Sequence, residues 1–283
     1  MSREGPISRG DSPTEGILDD ARDLDRKSVA EVLELMHRED AQAHAAVGRV
    51  LPDIAEAVRI LACSIRGGGR WFNVGAGTSG RLGVLDASEI PPTFGMSPNI
   101  VQGVIAGGDR ALREAVEGAE DDTEDGAWQL RDRGLARADS VVAISASGHT
   151  PFALGALEIA SEVGARRIAI TCNANSPLVR SAEIAIVPQT GSEVVAGSTR
   201  LKAGLAQKMV LHLLSTTVMV QLGRVQGNLM TNVTPVSEKL RERAVRIVVQ
   251  LAGVDPHEAR RLLDRNGDSV PEAVRDAHTM NRA

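Results

Sequence analysis

The sequence predicts an α/β protein, a three-layer αβα sandwich around a mainly parallel five-stranded sheet, with a small helical module after it. Three observations carry this reading. Five short runs, Arg70–Val74, Ile100–Ile105, Ser140–Ile144, Arg167–Thr171 and Glu183–Val187, are continuously apolar rather than alternating. Strands buried on both faces read that way. Helical-period segments at Ser79–Glu89, Asp109–Arg133 and Pro151–Val163 separate most of them, the alternation of a parallel sheet with helices on both faces. Two of the runs end in glycine- and hydroxyl-rich turns that lead into helices.

Along the chain, residues 1–25 are polar and acidic with scattered Gly and Pro, and read as a mobile arm. Ser28 is placed to cap a short helix to His37, and a longer amphipathic helix is expected from about Ala45 to Ile65, stopped by Gly67-Gly68-Gly69. The interval Ser176–Ala182 has room for one or two helical turns. After the fifth run comes a long helix, Ser198 to about Gly223, with apolar residues on more than one face. Leu201, Leu205 and Leu213 are expected to cover the sheet, and Val210, Leu214 and Val218 to extend that surface. A helix apolar nearly all round is buried on all sides, so a second subunit is expected as its cover and the chain is expected to be a homodimer. Beyond Gly227 the composition shifts to one helix, 238–250, and two shorter ones between Ala252 and Met280, parted by Asn266-Gly267-Asp268. The expected division is an arm with a short helix over 1–44, a main domain over 45–235, and a helical module over 236–283.

The composition narrows the function. Aromatics are 2% of 283 residues and the formal charge is −5. Base stacking and phosphate-backbone binding want rings and a basic stripe, so nucleic acid is not an expected partner. Cys63 and Cys172 each have apolar neighbours and are expected to be buried thiols of a reducing compartment. The six histidines show no ligand spacing, so no metal is expected, and no cofactor either. The N-terminus lacks the apolar core of a signal peptide. Met209–Leu222 is short for a membrane span and carries His212, Ser215 and Gln221. A cytoplasmic location without membrane association is expected.

The two turns are Phe72-Asn73-Val74-Gly75-Ala76-Gly77-Thr78-Ser79-Gly80 and Val142-Ala143-Ile144-Ser145-Ala146-Ser147-Gly148-His149-Thr150-Pro151. Glycines admit close backbone approach, and a helix N-terminus offers free N–H groups with partial positive charge. Thr78, Ser79, Ser145, Ser147 and Thr150 add hydroxyl donors. Serine and threonine also cap helices with no ligand at all; two such turns, each after a strand, point to phosphate binding at the carboxyl edge of the sheet. Gly75–Gly80 also satisfies G-x-G-x-x-G, but the acidic residue a dinucleotide site needs after the next strand is missing at the right distance, Asp109 coming too late.

Gly75-Ala76-Gly77-Thr78-Ser79-Gly80-Arg81-Leu82-Gly83-Val84-Leu85-Asp86-Ala87-Ser88-Glu89, followed by Pro91-Pro92-Thr93, resembles the signature of the N-acetylmuramic acid 6-phosphate etherases, on the sugar isomerase domain fold. Val116-Glu117-Gly118-Ala119-Glu120-Asp121, Ser198-Thr199-Arg200-Leu201-Lys202-Ala203-Gly204 and Gly227-Asn228-Leu229-Met230 add to it, and the C-terminal helices resemble the family's ubiquitin-associated-like tail. Two departures stand out. Thr14-Glu15 is followed by Gly16-Ile17-Leu18-Asp19, which leaves a ligand contact from the arm open. Ser237 stands where relatives often have Asn before Glu-Lys-Leu.

The resemblance implies removal of the D-lactyl ether from C3 of a 6-phosphorylated amino sugar, by elimination and then hydration. Without a metal, carboxyl groups handle the protons. Glu89, after a short helix halted by Pro91-Pro92, is as readily a surface Glu as an acid on spacing alone; the resemblance makes it the acid/base for the departing lactate. Glu120 sits in the acidic run Glu117–Asp125, whose ordinary reading is a solvated helix face, and only the resemblance marks it as the second catalytic carboxylate, acting on water. Thr78, Ser79, Gly80, Ser145, Ser147, Thr150, Glu193 and Ser198 are the expected substrate-binding residues. Lys202 and Lys208 read as helix-surface or ligand-steering cations. His149 stands ready for ring opening, or is incidental. An aldose–ketose isomerase and a non-enzymatic phosphosugar sensor, similar to the glucokinase regulatory proteins, are the alternatives. The first has no use for the Glu89–Pro92 string, and the second would tolerate loss of both carboxylates.

Overall fold

The computed structural model describes residues 13–233 and 238–280. Five strands, β1 Trp71–Gly75, β2 Val101–Ile105, β3 Ser140–Ile144, β4 Arg166–Ile170 and β5 Ile184–Ile186, form one parallel sheet in the order β2-β1-β3-β4-β5. In register, Gly75 at the carboxyl end of β1 lies between Ile105 and Ile144. The switch of direction at β1 opens a crevice at that edge, where ligands bind in such sheets.

Alternation along the strands feeds two cores. Trp71, Val142, Ile144, Ile168 and Ile170 pack beneath α2 (Leu51–Arg66), α3 (Gly77–Phe94) and α7 (Lys202–Gln221). Phe72, Val74, Val141, Ala143 and Ala169 pack against α4 (Thr123–Asp132), α5 (Pro151–Val163) and α6 (Pro177–Ser181). The three-layer αβα sandwich is therefore present as the sequence reads. A third core, of Val245, Val248, Leu262, Leu263 and Val270 among others, is shared by α8 (Glu238–Ala252), α9 (Pro256–Arg265) and α10 (Val270–Met280), and includes no residue of α7. The boundary expected at 235/236, and Ser237, lie outside the described residues.

Several local expectations are corrected. The short helix and its successor are α1 (Val29–Arg49) and α2, so the break lies at Val50 rather than between His37 and Ala45, and the boundary expected after residue 44 falls inside α1. Ser28 and Glu31 form a reciprocal capping box at the start of α1. Pro52 explains the break: inside a continuous helix its ring would strike the carbonyl four residues back. Of the arm, residues 13–26 are ordered in three 3₁₀ turns with Thr14 buried. Residues 1–12 lie outside the described residues.

The helix after the first turn is not halted by Pro91-Pro92; α3 runs through both to Phe94 and ends at Gly95, which is left-handed and donates to the Pro91 carbonyl. Two missing donors are tolerated because Ile90 and Phe94 anchor the last turns in the core. The Asp109–Arg133 segment is not one helix. It comprises 3₁₀ turns at Gly108–Leu112 and Ala119–Asp121, then α4, because Gly107 and Gly118 adopt positive φ.

The long helix is α7, shorter than expected at both ends, and its faces are exchanged. Val210, Leu211, Leu214 and Val218 are buried toward the sheet, while Leu205 is 37% exposed and Leu201 and Leu213 are half-buried. Period alone cannot say which of two apolar stripes meets the sheet. By length and composition α7 could cross a membrane, but it is a core helix held among α1, α2 and α3. Lys202 is not a surface cation: it is 2% exposed, with Nζ 2.6 Å from Glu39 Oε2 of α1. Cys63 is exposed, on the outer face of α2 opposite Val58, Leu61 and Ala62. Cys172 is buried, and burial pushes its thiol up to about 12.

Candidate active site

The two turns close over adjacent strands. In the first, Ala76 is extended and Gly77, at φ +50, opens α3. A Cβ at Gly80 would lie 2.6 Å from the Gly75 carbonyl oxygen, so the turn is too tight for any side chain there. Thr78 faces a groove of about 340 Å³ lined also by Met36, Asp40, Leu82, Arg200 and Lys208. Ser79 is buried, and its Oγ donates to Gln207 Oε1 of α7 at 3.0 Å.

In the second turn, Ser145 Oγ accepts from the Gly148 amide at 3.0 Å and lies 2.8 Å from Thr150 Oγ1. The His149 amide donates to Ser147 Oγ at 3.2 Å, and His149 Nδ1 lies 2.9 Å from the Ser147 carbonyl oxygen. Gly148, at φ +70, has no room for a Cβ, which would fall 2.2 Å from Ser176 Oγ. These bonds hold Ser147 and Thr150 at the mouth of a cavity of about 370 Å³, lined by Glu15, Glu120, Asp121, Ser147, His149, Thr150 and Pro151. The N-terminus of α5 faces it; Pro151 has no N–H and the Ala153 and Leu154 amides bond the Thr150 carbonyl, so a phosphate there meets the hydroxyls and the positive end of a helix.

Not all the expected site residues meet. Glu120 reaches the cavity on a 3₁₀ turn rather than on a solvated helix face. Glu89 does not line that cavity. It is exposed on α3, and twelve residues of helix place it about 18 Å along the axis from Gly77, at ~1.5 Å per residue. Glu193 is buried and caps α7, its two oxygens each accepting a backbone N–H, from Lys202 and Ala203, at 2.9 Å. Burial raises its pKa against those two hydrogen bonds. Ser198 is half-buried in the turn before α7, its amide donating to the Val195 carbonyl.

That segment touches the arm. Gly197, at φ +73, leaves a Cβ position only 3.0 Å from Glu15 Oε2. Glu15 and Asp121 were not candidates from the sequence; for Glu15 the only available signal was the Thr14-Glu15 pair itself.

Comparison with known proteins decides among chemistries that this geometry permits. The chain is 50% identical over 261 residues to the N-acetylmuramic acid 6-phosphate etherase of Symbiobacterium thermophilum, covering 92% of this chain and 87% of that one. It is 49% identical over 251 residues to the etherase of Pectobacterium atrosepticum, covering 89% and 83%. The chain belongs to the N-acetylmuramic acid 6-phosphate etherases. Within this etherase chain, residues 53–161 match the glucokinase regulatory protein N-terminal SIS domain and residues 125–217 the SIS domain. A phosphoheptose isomerase from Francisella tularensis superposes with TM-score 0.53 at 20% identity, over 69% of this chain and all of that one. That likeness shows the fold alone, the sugar isomerase α/β architecture.

Proposed function

We infer that this protein cleaves the D-lactyl ether of N-acetylmuramic acid 6-phosphate, giving N-acetylglucosamine 6-phosphate and D-lactate in the recycling of cell-wall sugar in the cytoplasm. The observation that carries this is half identity to named etherases across 92% of the chain. Neighbours with isomerase names lie near 20% identity and share only architecture. Incubation with the 6-phosphorylated muramyl sugar should release stoichiometric D-lactate; no lactate from folded protein would overturn the reading.

The 6-phosphate sits on the two turns, held by Thr78, Ser79, Gly80, Ser145, Ser147 and Thr150 at the positive ends of α3 and α5. Ring opening exposes the C1 aldehyde, which acidifies the C2 proton. Loss of that proton and of lactate gives an unsaturated aldehyde, to which water adds at C3. Glu89 protonates the departing lactate oxygen and Glu120 acts on the water. Glu193 and Ser198 fix the segment that meets Glu15.

The chain works as a homodimer with its sites near the subunit interface. Glu89 stands about 18 Å along α3 from the turn at Gly77, farther than one monosaccharide reaches, so the carboxyl that meets a given sugar is Glu89 of the partner subunit. Leu85, 45% exposed one turn before Glu89, and Leu205, exposed by the groove at Thr78 and Leu82, leave apolar surface uncovered along α3 and α7, and the C-terminal core has no share in α7. The helices within 238–280 form a separate module, supported by a core that has no residue of α7, although it takes in Val233, Leu229 and Met230 from the segment before them. Light scattering at micromolar concentration should return twice the 29.9 kDa chain mass; the mass of one chain would reject the dimer.

A further inference from the structure

The first two turns of α7 lie directly behind the first glycine turn. A Cβ at Gly204 would meet Thr78 Cγ2 at 3.4 Å. Three residues on, Gln207 is 1% exposed and accepts from Ser79 Oγ at 3.0 Å. Its Nε2 is buried with no hydrogen-bond partner among the described residues. A buried donor left unpaired is rare. This one belongs to the amide that holds a hydroxyl of the ligand-facing turn.

A proton inventory gives the orphan a meaning. A serine hydroxyl has one proton and two lone pairs, and an amide has donors on one side and an acceptor on the other. With Oε1 toward the serine, Ser79 gives its one proton to Gln207. It can then offer a phosphate, which only accepts, nothing but lone pairs. Half a turn of the amide about Cγ–Cδ exchanges Oε1 and Nε2. The N–H then donates to Ser79 Oγ, and the serine proton is free to point outward. The carbonyl oxygen left behind tolerates a missing partner better than an N–H does.

We propose that Gln207 is a positioning residue for substrate phosphate: with its amide turned so that Nε2 donates to Ser79 Oγ, it leaves the Ser79 proton free to be donated to the phosphate. The proposal rests on the reading that residues 75–80 hold the 6-phosphate. An amide is required for it. Glutamate only accepts, and so holds the serine proton inward and adds a negative charge beside the phosphate. Methionine has the length but gives no proton and accepts one only weakly.

The test is steady-state kinetics on the full chain, together with the inhibition constant of inorganic phosphate, for Q207M, Q207E, S79A and S79A/Q207M. Q207M should raise KM and the phosphate inhibition constant about 10-fold with kcat within a few-fold, the loss of one oriented hydrogen bond to a charged group. Q207E should raise both about 100-fold, since repulsion adds to that loss. S79A/Q207M should be no worse than S79A, because the two residues act through one bond. If S79A leaves both constants unchanged, the phosphate reading of the turn fails, and this proposal with it. If S79A raises them while Q207M and Q207E match the unaltered protein, the turn keeps its role and Gln207 loses its own. Additive losses in the double variant would also overturn the proposal. Q207E, nearly isosteric with the native residue, carries the test if Q207M does not fold.

Discussion

Replacing Asp86 by Asn should stabilise this protein at neutral pH and not in acid. Asp86 is 6% exposed between α3 and α7; its Oδ1 accepts from Ser215 Oγ at 3.0 Å, and its Oδ2 has no partner among the described residues. Burial lifts its carboxyl from 3.8 to about 6, opposed by the Ser215 hydrogen bond and the charge of Lys208. Between those two values the folded protein holds a proton that the unfolded chain has released. The stability contributed by Asp86 is therefore complete below pH 3.8 and lost as pH rises through about 6. A shift of roughly 2 units corresponds to about 3 kcal/mol above that range. Asparagine is neutral throughout and keeps a carbonyl for Ser215. Urea denaturation followed by circular dichroism should find Asp86→Asn within about 1 kcal/mol of the unaltered protein at pH 4. At pH 7.5 it should be about 3 kcal/mol more stable, the gap opening mainly between roughly pH 4 and 6. A difference that stays constant with pH, or widens toward acid, would refute the assignment of a neutral buried carboxyl.

Glu89→Gln should keep phosphosugar affinity while lowering turnover at least ~100-fold; turnover within a few-fold of the unaltered enzyme would remove Glu89 from the chemistry. Ser147→Ala should weaken the 6-phosphorylated sugar by roughly 0.5–3 kcal/mol and leave the non-phosphorylated sugar little changed, as calorimetry would read; equal losses for both sugars would contradict a phosphate role. Gly148→Ala should lower the melting temperature by several degrees, for about 1–3 kcal/mol of strain and displacement. Its Cβ would sit 2.2 Å from Ser176 Oγ at a φ of +70; an unshifted melt would show that the turn relaxes freely. Turnover in H₂¹⁸O should place the label on the C3 hydroxyl of the sugar, and label in lactate would end the elimination scheme.

Five strands and the helices that start at Gly77 and Pro151 were legible in the sequence because their signals are local. Continuous apolar runs need burial on both faces, and glycine–hydroxyl turns need a helix behind them. The family too was legible, carried by one string from Gly75 to Thr93. What the sequence left undecided depends on separations it does not encode. A period-3.6 pattern marks apolar stripes on α7 but not which one meets the sheet, so Leu205 and Val210 changed places. Glycines at 107 and 118 broke a helical pattern that composition favoured. Lys202 and Glu39 lie 163 residues apart, and Ser79 and Gln207 128 apart. No local rule predicts that each pair is buried together. Glu15 shares the Glu120 cavity and packs against Gly197, 182 residues on, where a Cβ would crowd its carboxylate. Local chemistry named the candidate groups; only the packing of distant segments decided which of them share a cavity, because burial and hydrogen-bond partners are properties of the folded chain rather than of any stretch within it.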